Sequence, residues 1–307
     1  MEENYFSGVV VRATGSWYEV LSAGERYQCR IRGKLRLKGV RSTNPVVVGD
    51  EVQCLTDEQG SHVIVDISPR RNYVIRRASN LSKESHIIAA NIDQALLLVT
   101  LRQPETALEF VDRFLVTCEA YKIPVVILLA KIDLQDKEEV DFFRSVYEPI
   151  GYRVVEVSAV TGEGVEEVHD LLVGRTTLLS GNSGVGKSTL VQRIDPSLDI
   201  RTGDISESHH KGRHTTTFST MYPLMEGGAL IDTPGIKGFG LIDIEEEELW
   251  HYFPEMMHYG RECRFYNCTH THEPGCAVVA ALEEGAISEL RYESYLKMMD
   301  DDDKYRK

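Results

Sequence analysis

Gly181-Asn182-Ser183-Gly184-Val185-Gly186-Lys187-Ser188, followed by Thr189-Leu190, fits the pattern G-x-x-x-x-G-K-[ST]. An apolar run, Thr176-Thr177-Leu178-Leu179-Ser180, precedes it, and a helix-like stretch, residues 189–194, follows. A Gly/Ser-rich surface loop would need neither flank. A phosphate cradle needs both, because the glycines let the backbone curl until successive N–H groups and a helix N-terminus face phosphate oxygens. Lys187 would place a positive charge on the terminal phosphates, and the Ser188 hydroxyl would ligate Mg²⁺.

Upstream, residues 92–100 and 123–130 are continuous apolar runs, as expected of parallel strands buried on both faces. Between them Leu108, Val111, Leu115 and Cys118 recur at helical spacing. Val140, Phe143, Val146 and Ile150 repeat that pattern before a third strand, residues 153–157. Alternating strands and helices predict a doubly wound α/β sheet. Two short motifs fall at strand ends: Ala130-Lys131-Ile132-Asp133 and Ser158-Ala159-Val160-Thr161-Gly162. An Asp placed there can accept both the ring N–H and the exocyclic amine of guanine, a donor pair that adenine lacks. The Lys131 stem can pack over a purine ring, and a backbone N–H near Ser158 and Ala159 can bind the guanine carbonyl. Each motif alone is also an ordinary turn, since Asp and Ser are common turn residues.

Downstream lie Gly212-Arg213-His214-Thr215-Thr216-Thr217 and Ala229-Leu230-Ile231-Asp232-Thr233-Pro234-Gly235. Thr216 in a loop can complete Mg²⁺ coordination only when a γ-phosphate is present. Asp232 at a strand end can hold the same ion, and the Gly235 N–H can touch the γ-phosphate. Together these are the parts of a phosphoryl-transfer switch.

The chain has 307 residues, 42% of them hydrophobic and 27% charged, which suits a soluble protein of two or three domains. No apolar run approaches a membrane span, and Met1-Glu2-Glu3-Asn4 does not open a signal sequence, so a cytoplasmic protein is expected. The net charge of −14 is unevenly spread. Through Arg77 there are 12 Lys and Arg against 9 Asp and Glu, net +3, leaving 22 against 39, net −17. In that basic end, residues 8–12, 17–21, 26–32, 46–48 with Val52, and 62–67 read as short strands of a small β-barrel, with an OB-fold the natural candidate. Residues 26–32 alternate, Tyr27, Cys29 and Ile31 on one face and Arg26, Arg30 and Arg32 on the other; Lys34, Arg36, Lys38 and Arg41 prolong the positive stripe. Such a face is either simply solvated or bears an RNA backbone. Residues 70–91, with Arg70, Arg71, Arg76, Arg77 and Lys83, read as a basic linker.

Of six cysteines, Cys263, Cys268 and Cys276 cluster with His270 as Cys-x4-Cys-x-His-x5-Cys, which argues for metal over disulfides. Three thiolates and an imidazole make a closed, structural zinc site. His272 competes with His270 as the fourth ligand. Helical patterns follow at residues 278–284 and 287–299.

With the guanine-reading motifs placed before the phosphate loop instead of after it, the chain resembles the circularly permuted GTPases. Adding a basic OB-like region before and the Cys/His cluster after, it resembles the RsgA (YjeQ) family of ribosome small subunit-dependent GTPases. That resemblance implies an OB-fold RNA-binding domain at 1–75, a circularly permuted GTPase domain at 76–239, and a zinc-binding helical domain at 240–307. It implies an enzyme that uses GTP/GDP, Mg²⁺ and one structural Zn²⁺, acts late in maturation of the 30S subunit on 16S rRNA, and works as a monomer. It favours His270 over His272. Two positions depart from the pattern. Ala130 stands where Asn or Thr usually braces the phosphate loop, and Ile236 stands where Ras-like proteins place a water-orienting Gln. The orienting group would then be His214, or His209 or His210, or would come from the ribosome. Gly184, where potassium-activated relatives carry Asn, predicts no potassium site. Ala130 and Ile236 also admit a non-catalytic RNA-binding module with a degenerate nucleotide site, and the phosphate loop alone admits an ATP-driven enzyme.

Overall fold

The computed structural model describes residues 4–31, 45–57, 59–77, 85–198, 219–232 and 244–300. Five strands open the chain: β1 Asn4–Thr14, β2 Trp17–Ser22, β3 Glu25–Ile31, β4 Glu51–Thr56 and β5 His62–Ile67. They close as β1-β2-β3-β5-β4, with β4 returning to β1 from Asn4↔Thr56 to Val9↔Glu51, an OB-like barrel. Alternation fills it: Val10, Val20, Cys29, Val52, Cys54 and Ile64 point inward and are buried. Tyr27 and Ile31 pack beside them, as the pattern of residues 26–32 predicts.

The stretch read as a linker is structured instead. β6 Tyr73–Arg77 and β7 Ser85–Ala90 pair antiparallel, Tyr73 facing Ala90. Arg70 is spent on buried Asp50, its Nε and Nη2 donating to the two carboxylate oxygens at 2.6 and 2.7 Å. Arg71 donates to Asp93 at 2.8 Å. These basic residues therefore bolt the barrel to the α/β sheet beyond it. Gly49 sits at the seam with φ +88°, where a Cβ would lie 2.0 Å from the Ala90 carbonyl oxygen.

Six strands then form the second half of a continuous eleven-stranded sheet, ordered β10-β9-β8-β11-β13-β12 and joined to the barrel by β1, Arg12 facing Thr220. They are β8 Gln94–Val99, β9 Val125–Ala130, β10 Arg153–Val157, β11 Thr176–Gly181, β12 Thr220–Pro223 and β13 Ala229–Asp232. All neighbours here are parallel except β12 with β13. Every residue of β8 is buried, and its side chains alternate between two cores. Ala95, Leu97 and Val99 face α1 Leu108–Ala120 and α2 Lys137–Tyr147; Leu96 and Leu98 face α3 Val165–Leu172 and α4 Lys187–Ile194. Each buried Leu contributes about 1.5–3 kcal/mol, so one central strand couples both helical layers.

The C-terminal part runs through a 3-10 segment Glu246–Tyr252, α5 Pro254–Tyr259, a Cys/His loop, α6 Ala277–Glu283 and α7 Glu289–Asp300. Its core, Leu249, Phe253, Met256, Val278 and Tyr295, includes Val116 of α1. Among the described residues no helix is long and apolar enough to cross a membrane.

Candidate functional site

A parallel sheet collects its loops at the carboxyl ends of its strands, and the motifs follow β9, β10, β11 and β13. The phosphate loop leaves β11 at Gly181, φ +148°, where a Cβ would come within 2.7 Å of the Leu98 carbonyl oxygen. It enters α4 at Gly186, φ +101°, the residue before the first helical turn. Both positions require glycine for the backbone path. Asn182, Ser183, Gly184 and Val185 complete the loop; Val185 is buried against the core, and Ser183 and Gly184 are exposed. Ser188 and Thr189 follow in the first turn of α4.

Lys187 Nζ donates to the carbonyl oxygens of Gly181 and Asn182 at 2.5 and 3.0 Å. Burial lowers its pKa to about 8, with the charge of Asp232 opposing the shift. Asp232 itself is buried at the end of β13, opposite Leu179 of β11. A buried ammonium whose charge is disfavoured by desolvation, with Asp232 as a partial counter-charge, is a site that gains from an anion.

The guanine-reading candidates meet this loop. A cavity of about 170 Å³ is lined by Lys131, Asp133, Ser158, Ala159, Gly186 and Thr189, together with apolar Leu98, Val185 and Leu190. Lys131 adopts φ +56° and its Nζ donates to the Gln103 carbonyl oxygen at 2.6 Å. Its Cε lies 3.9 Å from where a Gly186 Cβ would stand, so the stem spans the gap between guanine motif and phosphate loop. The Ser158 N–H is engaged by the Glu163 carbonyl at 2.9 Å, so a backbone donor at that corner comes from the amides that follow, beginning with Ala159. Of the apolar wall, Val185 belongs to the loop that the motif marks, whereas Leu98 and Leu190 carried no sequence signal of their own, being indistinguishable from core positions. Thr216, His214, His209, His210, Gly235 and Ile236 lie outside the described residues.

On the barrel, Arg26 pairs with Glu19, and the Arg30 guanidinium sits 4.0 Å from the ring centroid of half-exposed Trp17. Arg32, Lys34, Arg36, Lys38 and Arg41 lie outside the described residues.

The Cys/His loop folds on itself. Cys263, Cys268, His270 and Cys276 bring one ligand atom each to within 4.8 Å of one another. Cys263 Sγ and Cys276 Sγ are 3.8 Å apart, and His270 Nδ1 is 3.5 and 3.4 Å from them. A tetrahedral zinc with standard bond lengths requires edges of about 3.8 Å between sulfurs and about 3.6 Å between sulfur and nitrogen. Burial and the neighbouring thiols push Cys268 up to about 12, so deprotonation of this thiol at neutral pH calls for a cation. His272 stands outside the group, its Nδ1 at 2.8 Å from Thr271 Oγ1. Gly260 admits the cluster: a Cβ there would meet Trp250 at 2.8 Å and His270 at 3.3 Å.

The model of the RsgA N-terminal domain matches residues 7–64, and that of the RsgA GTPase matches residues 67–242. The small ribosomal subunit biogenesis GTPase RsgA of Bacteroides fragilis is 53% identical over 305 residues, covering 97% of this chain and 98% of the relative. That of Porphyromonas gingivalis is 53% identical over 308 residues, with the same coverage of 97% and 98%. Among solved structures, YjeQ from Thermotoga maritima superposes with TM-score 0.78 at 36% identity, covering 97% of this chain and 98% of its own. YloQ, described as a circularly permuted GTPase, superposes with TM-score 0.72 at 28% identity, covering 97% and 94%.

Proposed function

The chain belongs to the RsgA GTPase family, and on that premise we propose that it hydrolyses GTP to GDP and phosphate on the small ribosomal subunit, assisting that subunit's late maturation. The observation that carries this reading is the single cavity lined by Asp133, Lys131 and Ser158 from two strand ends and by Gly186 and Thr189 of the phosphate loop. Asp133 selects guanine and the Lys131 stem covers the ring. The Ala159 N–H binds the guanine carbonyl. Lys187 and the amides of residues 181–189 hold the phosphates, where an N-terminal helix dipole adds to their charge. Ser188 and Thr216 hold Mg²⁺, with Asp232 behind; when bound, the ion neutralises charge that develops between the outer phosphates. Ile236 is aliphatic and cannot orient water, and we assign that role to His214. Zinc held by Cys263, Cys268, His270 and Cys276 has no open coordination position, so it fixes the loop and takes no part in chemistry.

The division into an RNA-binding barrel at 1–75, a GTPase domain at 76–239 and a zinc-binding domain at 240–307 belongs to the same proposal. So do the contact of the barrel with 16S rRNA, a monomeric state and a cytoplasmic location. The 75/76 boundary cuts β6, because β6 and β7 are shared ground between barrel and sheet. Nucleotide hydrolysis measured with purified 30S subunits, with 50S subunits and with neither tests the reading. Stimulation by 30S alone is expected, with labelled GTP displaced by GDP and not by ATP. Turnover that responds only to 50S overturns the partner, and absence of turnover in every condition leaves a binding module.

A further inference from the structure

The polar residue that normally begins the guanine motif, tying it to the phosphate loop, is Ala130 here, and Ala130 is buried with no group to offer. The tie is nonetheless made from the other end of the motif. Gln135 Nε2 donates to the carbonyl oxygens of Ala130 and Lys131 at 3.3 and 3.1 Å. Its Oε1 accepts the backbone N–H of Arg102 at 3.0 Å. Two carbonyls on one side and an N–H on the other fix the orientation of the amide. The segment it reaches, residues 100–104, leads to Pro104, whose ring lies 3.6 Å from where a Gly184 Cβ would stand in the phosphate loop. That segment is held in turn by Thr100 Oγ1 donating to the Pro104 carbonyl at 2.5 Å and by Lys131 Nζ on Gln103.

We propose that Gln135 is the positioning residue of the guanine site, replacing the brace missing at Ala130 by clamping the Lys131–Asp133 turn to the loop that backs Gly184. It touches neither base nor phosphate. It acts by holding Lys131 in its left-handed conformation, which a Lys adopts only when its surroundings impose it. The inference rests on the guanine-nucleotide reading of this cavity.

The test compares GDP and GTP affinities of the full chain with those of Gln135→Ala, Gln135→Glu, Lys187→Ala and Gln135→Ala combined with Ala130→Asn. Gln135→Ala loses three hydrogen bonds, so affinity for GDP and GTP should fall together by about tenfold. KM should rise with kcat unchanged, since the lost restraint serves bound ground state and transition state equally. Gln135→Glu keeps the acceptor for Arg102 but aims an oxygen at two carbonyls, so it should bind no better than Gln135→Ala. Adding Ala130→Asn to Gln135→Ala should recover most of the affinity, a rescue that a merely structural role would not produce. If the wild type binds guanine nucleotides, Lys187→Ala does not, and Gln135→Ala binds within about twofold of wild type, the proposal falls alone. If ATP competes with GDP on equal terms in the wild type, the guanine reading falls and takes the proposal with it.

Discussion

Replacing Arg291 by Met should detach the C-terminal domain from the nucleotide-binding sheet. Arg291 in α7 is 1% exposed and lies between carboxylates of two parts of the chain. Its Nη1 donates to Asp112 of α1 at 2.7 Å, and its Nε and Nη2 to Glu255 of α5 at 2.7 and 3.3 Å. Tyr147 donates to the same Asp112 at 2.8 Å, and the guanidinium rests 4.6 Å from the Phe253 ring centroid. Burial opposes the guanidinium charge, but Asp112 and Glu255 outweigh it and hold its pKa well above the usual value. Met matches the length of the stem and its apolar contacts, leaving two carboxylates buried without a cation. Breaking a buried ion pair from one side costs about 3–5 kcal/mol, a large part of the about 5–15 kcal/mol available to a domain. With a urea slope of about 1–3 kcal/mol per molar, the midpoint should fall by roughly 1–5 M. The chain has two tryptophans, and Trp250 lies 4.7 Å from His270, so in a Trp17→Phe background fluorescence reports the C-terminal domain alone. Adding Asp112→Asn and Glu255→Gln to Arg291→Met removes the orphaned charge while keeping an acceptor for Tyr147, and should recover much of the loss. A midpoint displaced by less than about 0.3 M, or a triple variant weaker than the single one, would refute the electrostatic account.

Lys187 makes the nucleotide site sensitive to alkali. Its folded pKa of about 8 lies below the ordinary 10.5, so between those values the unfolded chain binds more protons than the folded one. Stability of the nucleotide-free protein therefore rises with pH across that window; below it the cost of burying the charged amine is fully present and independent of pH, while GDP affinity falls across the window. Binding enthalpies compared in buffers of different ionisation heat should show proton uptake with GDP between about pH 8 and pH 9; buffer-independent enthalpies there would exclude the mechanism. Cys263→Ser should abolish bound zinc, measured by elemental analysis, and lower the Trp250 transition by several kcal/mol, since structural zinc contributes about 10–16 kcal/mol in isolated finger peptides. A variant that loses zinc and melts like wild type would show the ion to be dispensable. Exchange of GDP for a non-hydrolysable GTP analogue should change hydrogen-exchange protection within residues 244–300; identical protection would remove the nucleotide from control of that domain.

How legible these features were in sequence depended on whether a residue's partner was local. The runs behind β8, β9 and β11 and the helical spacing of α1 and α2 announced themselves, because burial on both faces or on one stripe leaves a period that survives without coordinates. The Cys/His spacing did so as well. The pair β6 and β7 stayed hidden: Arg70 and Arg71 look like solvated linker charge until Asp50 and Asp93, each about twenty residues away, are seen to bind them. Within the positive stripe, the pairing of Arg26 with Glu19 of the neighbouring strand was invisible for the same reason. The acidic start of the 3-10 segment Glu246–Tyr252 gives no sequence sign that Leu249 within it is seated in the C-terminal core. Gln135 belongs to no motif, and its three partners are backbone atoms that any sequence would supply.

The rotated order of motifs acquires a physical reason from these contacts. Among the described residues β13, which ends in Asp232, is the last strand along the chain, and the described part of the C-terminal region begins at residue 244. The residues expected to sense the γ-phosphate, Asp232 and Gly235, are thus the covalent lead into that domain. A second route runs through packing. The 100–104 segment that lies against Gly184 continues into α1, and α1 carries both Asp112, which holds Arg291, and Val116, which enters the C-terminal core. Since α1 links the segment beside Gly184 to the C-terminal core, a change of nucleotide is expected to reach residues 244–300 by packing as well as through the covalent lead, which the hydrogen-exchange comparison tests. The usual order of motifs, with the guanine-reading strands last, would put the insensitive edge of the sheet at that junction instead.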